Sequence, residues 1–156
     1  MSKQVMRRQA ADNEYLHKDF HGALSNGIQY LHDRYGAEVV RAYLHDFARV
    51  YFAPLTRRLV AGGLPVLEDY FVSMYAVEGT AVEAVRTDSE LVLNVPYCPA
   101  VAHMRAHGHL VAAMFSETTD TVNAAICEGT PFAAELVEYD AVSGRSVQRF
   151  VRRTAS

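Results

Sequence analysis

The sequence predicts an α+β fold: N-terminal helices, then a ββ-α-ββ unit forming a four-stranded antiparallel sheet. Three observations carry this. Up to Gly79 the apolar residues recur at spacings of three and four, the period of a helix. Beyond Gly79 they fall into short runs separated by turn residues. Two of those turns, Thr87 to Glu90 and Asp140 to Gly144, sit between runs that read as paired strands. With no Ser- or Pro-rich linker and no repeat, residues 1–156 read as a single domain, with a helical half near 14–78 and a sheet-containing half near 79–153.

In the segment Glu14 to Tyr35, Leu16, Phe20, Leu24, Ile28, Leu31 and Tyr35 share one helical face, and Gly36 ends the helix. A second helix starts at Ala37, with Val40, Tyr43, Leu44, Phe47, Val50 and Tyr51 expected on its inner side. Pro54 must kink or restart it. Pro65 suits the first turn of a third helix that carries Leu67, Phe71 and Met74.

After Gly79, the stretch TAVEAVRTDSELVLNV reads as a hairpin that ends at Pro96 and Pro99. A helical region follows, interrupted at Gly108, and Ser116 is expected to cap the helix in SETTDTVNAAICEG. The tail forms a second hairpin, with Val147 and Val151 alternating with polar positions and expected inward.

Composition excludes several function classes. The chain is 50% hydrophobic and 21% charged, so it is globular, and its net charge of −3 argues against nucleic acid as a partner. Arg145, Arg149, Arg152 and Arg153 make a locally basic tail, read as a solvated strand face before an anion site. Two cysteines are too few for a secreted disulfide scaffold. No signal peptide or membrane-spanning run is evident, so a cytoplasmic protein is expected, with no membrane partner.

The stretch NVPYCPAVAHMRAHGH concentrates the chemistry. Pro99 at the first helical position would make Cys98 the N-cap, where the helix's positive end favours a thiolate. His103 and His107 lie four apart and share a helical face, but Cys98 falls off it and no CxxC or HExxH supports zinc. No metal is therefore assigned. The histidine pairs elsewhere, His17 with His21 and then His32, are read as rimming the core, and Asp19 falls on a different face from them. Glu117, Asp120, Asn123 and Cys127 form a row that could edge a pocket or simply face solvent. Tyr97, Tyr139 and Arg149 are further candidate donors, with Arg149 suited to a substrate carboxylate.

The segments NVPYCPAVAHMRAHG, FSETTDTVNAAICEGT and ELVEYDAVSGRSVQRF, with YLHDRYG ahead of them, resemble the L-2-amino-thiazoline-4-carboxylic acid hydrolase family. The layout is also similar to 4-vinyl-reductase-like ligand-binding domains and the transport-particle subunit fold. The likeness covers residues 30–151. It departs from the family at positions where further cysteines are common, here Ser116 and Ser146 or Gln148.

The resemblance implies a hydrolase that opens a cyclic amidine-like ring with water, acting on a non-peptide C–N bond, which requires a base and an acid. It raises Cys98 and Asp120 as catalytic residues; beside them the residues themselves suggest His103 as a catalytic group and Tyr97, His107, Asn123 and Arg149 as substrate-binding ones, with no cofactor. Two other expectations stand beside it. One is a non-catalytic small-molecule-binding or sensor domain using the same pocket. The other is an interaction module that forms a homodimer through the helical half, which is rich in tyrosine and phenylalanine.

Overall fold

The computed structural model describes the backbone of residues 14–154 and the side chains of residues 18–154. The helical period of the first half becomes four helices: α1 (Glu14–Tyr35), α2 (Ala37–Tyr51), α3 (Ala53–Gly62) and α4 (Leu64–Val77). Each break is marked by a glycine or by a proline just after it. Gly36 and Gly63 adopt positive φ, and Pro54 and Pro65 occupy the first turns of α3 and α4, where a missing N–H costs nothing.

The second half runs β1 (Glu83–Arg86), β2 (Glu90–Val95), α5 (Pro99–Ala106), a 3₁₀ turn (Phe115–Thr118), α6 (Asp120–Cys127), β3 (Phe132–Tyr139) and β4 (Ser146–Arg152). The strands form a four-stranded antiparallel sheet in the order β1-β2-β4-β3. The two hairpins are thus zipped together by their second strands, with Leu91 opposite Phe150 and Leu93 opposite Gln148. The first turn is held by the Glu90 N–H donating to Thr87 Oγ1 at 3.1 Å. In the second, Asp140 accepts from the Val142 N–H and the Ser143 hydroxyl, both at 2.8 Å.

The core lies between the helices and one sheet face. Leu91, Leu93, Phe132 and Phe150 point from the sheet into one buried cluster with Val40, Leu44, Leu59, Leu67 and Phe71 of the helices. Phe71 and Phe150 stack with ring centroids 5.4 Å apart.

Several faces differ from the sequence expectation. On α2 the buried stripe is Val40, Leu44 and Ala48, while Tyr43, Phe47, Val50 and Tyr51 are exposed. Both stripes have helical spacing and lie about 100° apart, so periodicity alone does not choose between them. On α1, Ile28 is buried as expected, but Phe20 and Tyr35 are exposed, and Gly22 and Ser25 are buried instead. Ser25 faces inward because it anchors a chain segment: its hydroxyl donates to Leu110 O at 2.7 Å and accepts the Ala112 N–H at 2.8 Å.

On β4 the inward residues are Ser146, Gln148 and Phe150, so Val147 and Val151 take the other face. The register that buries the large Phe150 ring fixes that choice, since side chains alternate strictly. Ser116 lies within the 3₁₀ turn, and Thr119, with no side-chain cap bond, precedes α6. Among the described residues no helix is long and apolar enough to cross a membrane.

Candidate functional site

Cys98 is the N-cap of α5, with Pro99 at the first helical position, as the sequence predicts. Its N–H donates to Ser143 O at 3.0 Å, which ties the start of α5 to the β3–β4 turn. The approach is close enough that a Cβ at Gly144 would lie 2.3 Å from Cys98 Cβ. The turn therefore covers the thiol.

That covering reverses the expected electrostatics. The backbone N–H groups of Val101 and Ala100 favour the thiolate, but burial outweighs them, and Glu78 adds like charge; the thiol is pushed above its ordinary pKa. Cys98 is a neutral thiol at neutral pH rather than a thiolate nucleophile.

Two phenols share this corner. Burial, reinforced by Cys98, pushes both Tyr75 of α4 and Tyr139 of β3 up to about 12. Gln148 Nε2 donates to Tyr75 Oη at 3.2 Å and to Ser146 Oγ at 3.1 Å, and its Oε1 accepts from Asn123 Nδ2 at 2.9 Å. Polar groups on α4, α6 and β4 are thus satisfied in one buried chain, as a low-dielectric interior requires. Glu78, just beyond α4, places Oε2 3.4 Å from His21 Nε2 of α1 and acts electrostatically on both Cys98 and Tyr75. Arg105 of α5 is the cation acting on Tyr139, and it donates to Ala141 O at 2.9 Å.

The sequence candidates do not share one set of neighbours. Cys98 faces the β3–β4 turn, whereas His103 Nε2 lies 3.5 Å from Asp19 Oδ1 and its ring packs 4.1 Å from that of His107. The two are five residues apart on α5, which turns them to different sides. Asp19, expected to stand apart, is therefore the carboxylate beside His103.

Asp120 is exposed on α6. Partial burial of its carboxyl and the charge of Glu117 raise its pKa, and its remaining neighbours are the Leu136 N–H and Arg41. Asn123 is committed to Gln148. His107 is exposed and hydrogen-bonds through Nδ1 to His103 O at 2.8 Å. Tyr97 is exposed and donates to Gly79 O at 3.1 Å.

Arg149 lies on the outer sheet face, paired with Glu90 and, at 3.3 Å, with Glu135. With two carboxylates already on it, it is not a free anion receptor for the interior. The row from Glu117 to Cys127 is split as well. Glu117 bonds Arg41 at 3.0 Å, Asp120 is exposed, and Asn123 and Cys127 are buried.

His17 falls outside the residues whose side chains are described; His21 and His32 lie beside acids, His32 Nδ1 being 3.7 Å from Asp33 Oδ1. Sequence reasoning missed Tyr75, Glu78 and Arg105. A signal was present for the first two: in YAVEG, polar groups three apart close the helix just before a glycine. Neither a protein-family model nor a curated protein sequence matches the chain.

Proposed function

We propose that the corner around Cys98 is the site of a hydrolase acting on a small nitrogen-containing heterocyclic or amidine-type carboxylate. One observation carries this reading: a thiol and two phenols, all held protonated by burial, act on one another at this corner, and the carboxylate of Glu78 acts on the thiol and on Tyr75. Clusters of perturbed ionisable groups of this kind mark sites where acid and base roles are separated.

Glu78 takes a proton from water, whose oxygen bonds to the amidine carbon while the C=N π pair moves to the ring nitrogen, which takes a proton from the Cys98 thiol. The ring C–N bond then breaks as the new hydroxyl becomes a carbonyl: the departing nitrogen takes the proton held by Glu78, and the hydroxyl proton returns to Cys98. Tyr75 and Tyr139 donate hydrogen bonds without ionising, and Arg105 holds the substrate carboxylate.

The test is turnover of 2-amino-thiazoline-4-carboxylate by the full chain, followed as loss of the ring's ultraviolet absorbance. Glu78→Gln and Cys98→Ala are expected to lose about a hundredfold or more, while Asp120→Asn retains activity. Absence of turnover in the natural protein, or full activity in both variants, refutes the reading. A substrate that raises the melting temperature without being consumed would instead identify the binding or sensor domain.

A second reading concerns partners and is favoured by the exposed aromatic face. Phe20, Tyr30, Tyr43, Phe47, Val50 and Tyr51 all stand open on α1 and α2, and Phe47 and Tyr51 stack with centroids 5.2 Å apart. We propose that this face pairs two copies of the chain. The natural protein is then expected to sediment as a dimer and Phe47→Glu as a monomer; a monomeric natural protein refutes it.

A further inference from the structure

We propose that Asp19, His103 and His109 form a binding site for one divalent transition-metal ion, zinc foremost. The inference is independent of the hydrolase reading and of the Cys98 corner.

One ligand atom from each of the three side chains lies within 4.8 Å of the other two. The Asp19 to His103 separation is 3.5 Å. An ion with bonds of about 2.1 Å to ligands at tetrahedral angles sets them about 3.4 Å apart, so this edge of the polyhedron already exists. His109 is exposed on the segment after α5, and one of its ring nitrogens completes the cluster within that distance.

A second observation points to a ligand rather than to an ordinary surface cluster. The His103 side chain is only 8% exposed, and its Nε2 is fully buried with no hydrogen-bond partner among the described residues. A polar nitrogen buried in this way loses its hydration with nothing to replace it. A metal ion facing Asp19 would satisfy it.

The fold also holds the third ligand in place. Gly108, at φ +69°, ends α5 in a Schellman cap: the His109 N–H donates to Met104 O at 2.8 Å and the Gly108 N–H to Arg105 O at 3.3 Å. Ser25 then clips residues 110 and 112 to α1, and Gln29 Oε1 accepts the Ala113 N–H at 2.9 Å. The His109 ring consequently rests over Gly22, one turn along α1 from Asp19; a Cβ there would meet its Cγ at 3.7 Å. His107 is not among the three residues whose ligand atoms converge; its Nδ1 bonds the His103 carbonyl.

Two imidazoles and one carboxylate suit zinc, iron(II), cobalt or nickel and disfavour magnesium or calcium. Three protein ligands leave the fourth position for water, and the exposure of His109 and Asp19 opens that position to solvent.

The full chain, carrying no polyhistidine tag and stripped with a chelator, is titrated with Co²⁺ while its visible absorption is read, and then with Zn²⁺ by calorimetry. One equivalent of each is expected at a common site, with Zn²⁺ displacing the Co²⁺ bands. Asp19→Asn and His109→Ala, neither of which opens the core, are expected to weaken binding at least about tenfold. His107→Ala should bind as the natural protein does. Lack of saturation near one equivalent overturns the proposal, as does natural affinity in both Asp19→Asn and His109→Ala.

Discussion

The contact between Gly144 and Cys98 can be tested with a single methyl group. Gly144 has φ +69°, where a residue with a Cβ pays about 1–2 kcal/mol. That Cβ would also sit 2.3 Å from Cys98 Cβ, 3.1 Å from Val101 Cγ2 and 3.3 Å from the Cys98 nitrogen. None of these is the far end of a flexible side chain, so α5 or the turn must move, an overpacking cost of about 1–3 kcal/mol. Gly144→Ala is therefore expected to lose about 2–5 kcal/mol, and the middle of that range lowers the melting temperature by roughly 7–14 °C.

Gly129 supplies the control: its φ is +73°, yet nothing lies within 4 Å of an added Cβ, so Gly129→Ala carries only the conformational part. A second arm identifies the clashing atom. Cys98→Ala keeps the Cβ and should not rescue Gly144→Ala. Cys98→Gly removes it, costs only a few tenths of a kcal/mol at an N-cap, and should rescue part of the loss. Urea unfolding of the natural protein, the four single variants and the two Cys98/Gly144 double variants measures every term. If Gly144→Ala costs no more than Gly129→Ala, or if Cys98→Ala rescues it as well as Cys98→Gly, the close approach is wrong.

Other consequences can be checked as directly. Gln148→Leu strands the buried Asn123 amide and should cost about 1–3 kcal/mol; an unchanged urea midpoint would contradict the network. Tyr75 keeps its proton to about pH 12 when folded, against 10 when unfolded. The unfolded chain therefore ionises first, and stability falls as pH rises from about 10 to 12, by at most about 3 kcal/mol from this group. Urea midpoints at pH 8 and 11 should show the fall, and Tyr75→Phe should lessen it. Alkylation of Cys98 by iodoacetamide, compared with a short peptide, should have its pH midpoint displaced upward; a downward displacement would restore the thiolate.

The element order was legible because it depends on local chemistry. Glycine and proline mark every helix break in the first half, and Thr87 and Asp140 build their turns from their own side chains. Which face of each element is buried was less legible. On α2 two apolar stripes compete, and the core takes Val40, Leu44 and Ala48, leaving the aromatic one outside. On β4 the valines looked inward by their hydrophobicity. Phe150 and the partners available to Gln148 decide otherwise, because a polar side chain with Asn123, Tyr75 and Ser146 to bond is cheap to bury.

The site was least legible, for a reason that Cys98 makes concrete. Its place at a helix N-terminus is a sequence property and was read correctly. Its ionisation is not, because the turn that covers it begins more than 40 residues later and Glu78 arrives from 20 residues earlier. A helix of eight residues offers two N–H groups to the sulfur, and these lose to burial. His103 makes the same point. Its spacing suggested His107 as a partner, but the carboxylate beside it is Asp19, brought by the packing of α1 against α5. Only His109 had a local cue: a glycine cap of the Schellman type turns the residue after the glycine back along its own helix, so a histidine there returns towards one a turn and a half earlier. Where a reactive group's neighbours come from distant segments, its residue type restricts the chemistry and the fold decides which of the remaining options is used.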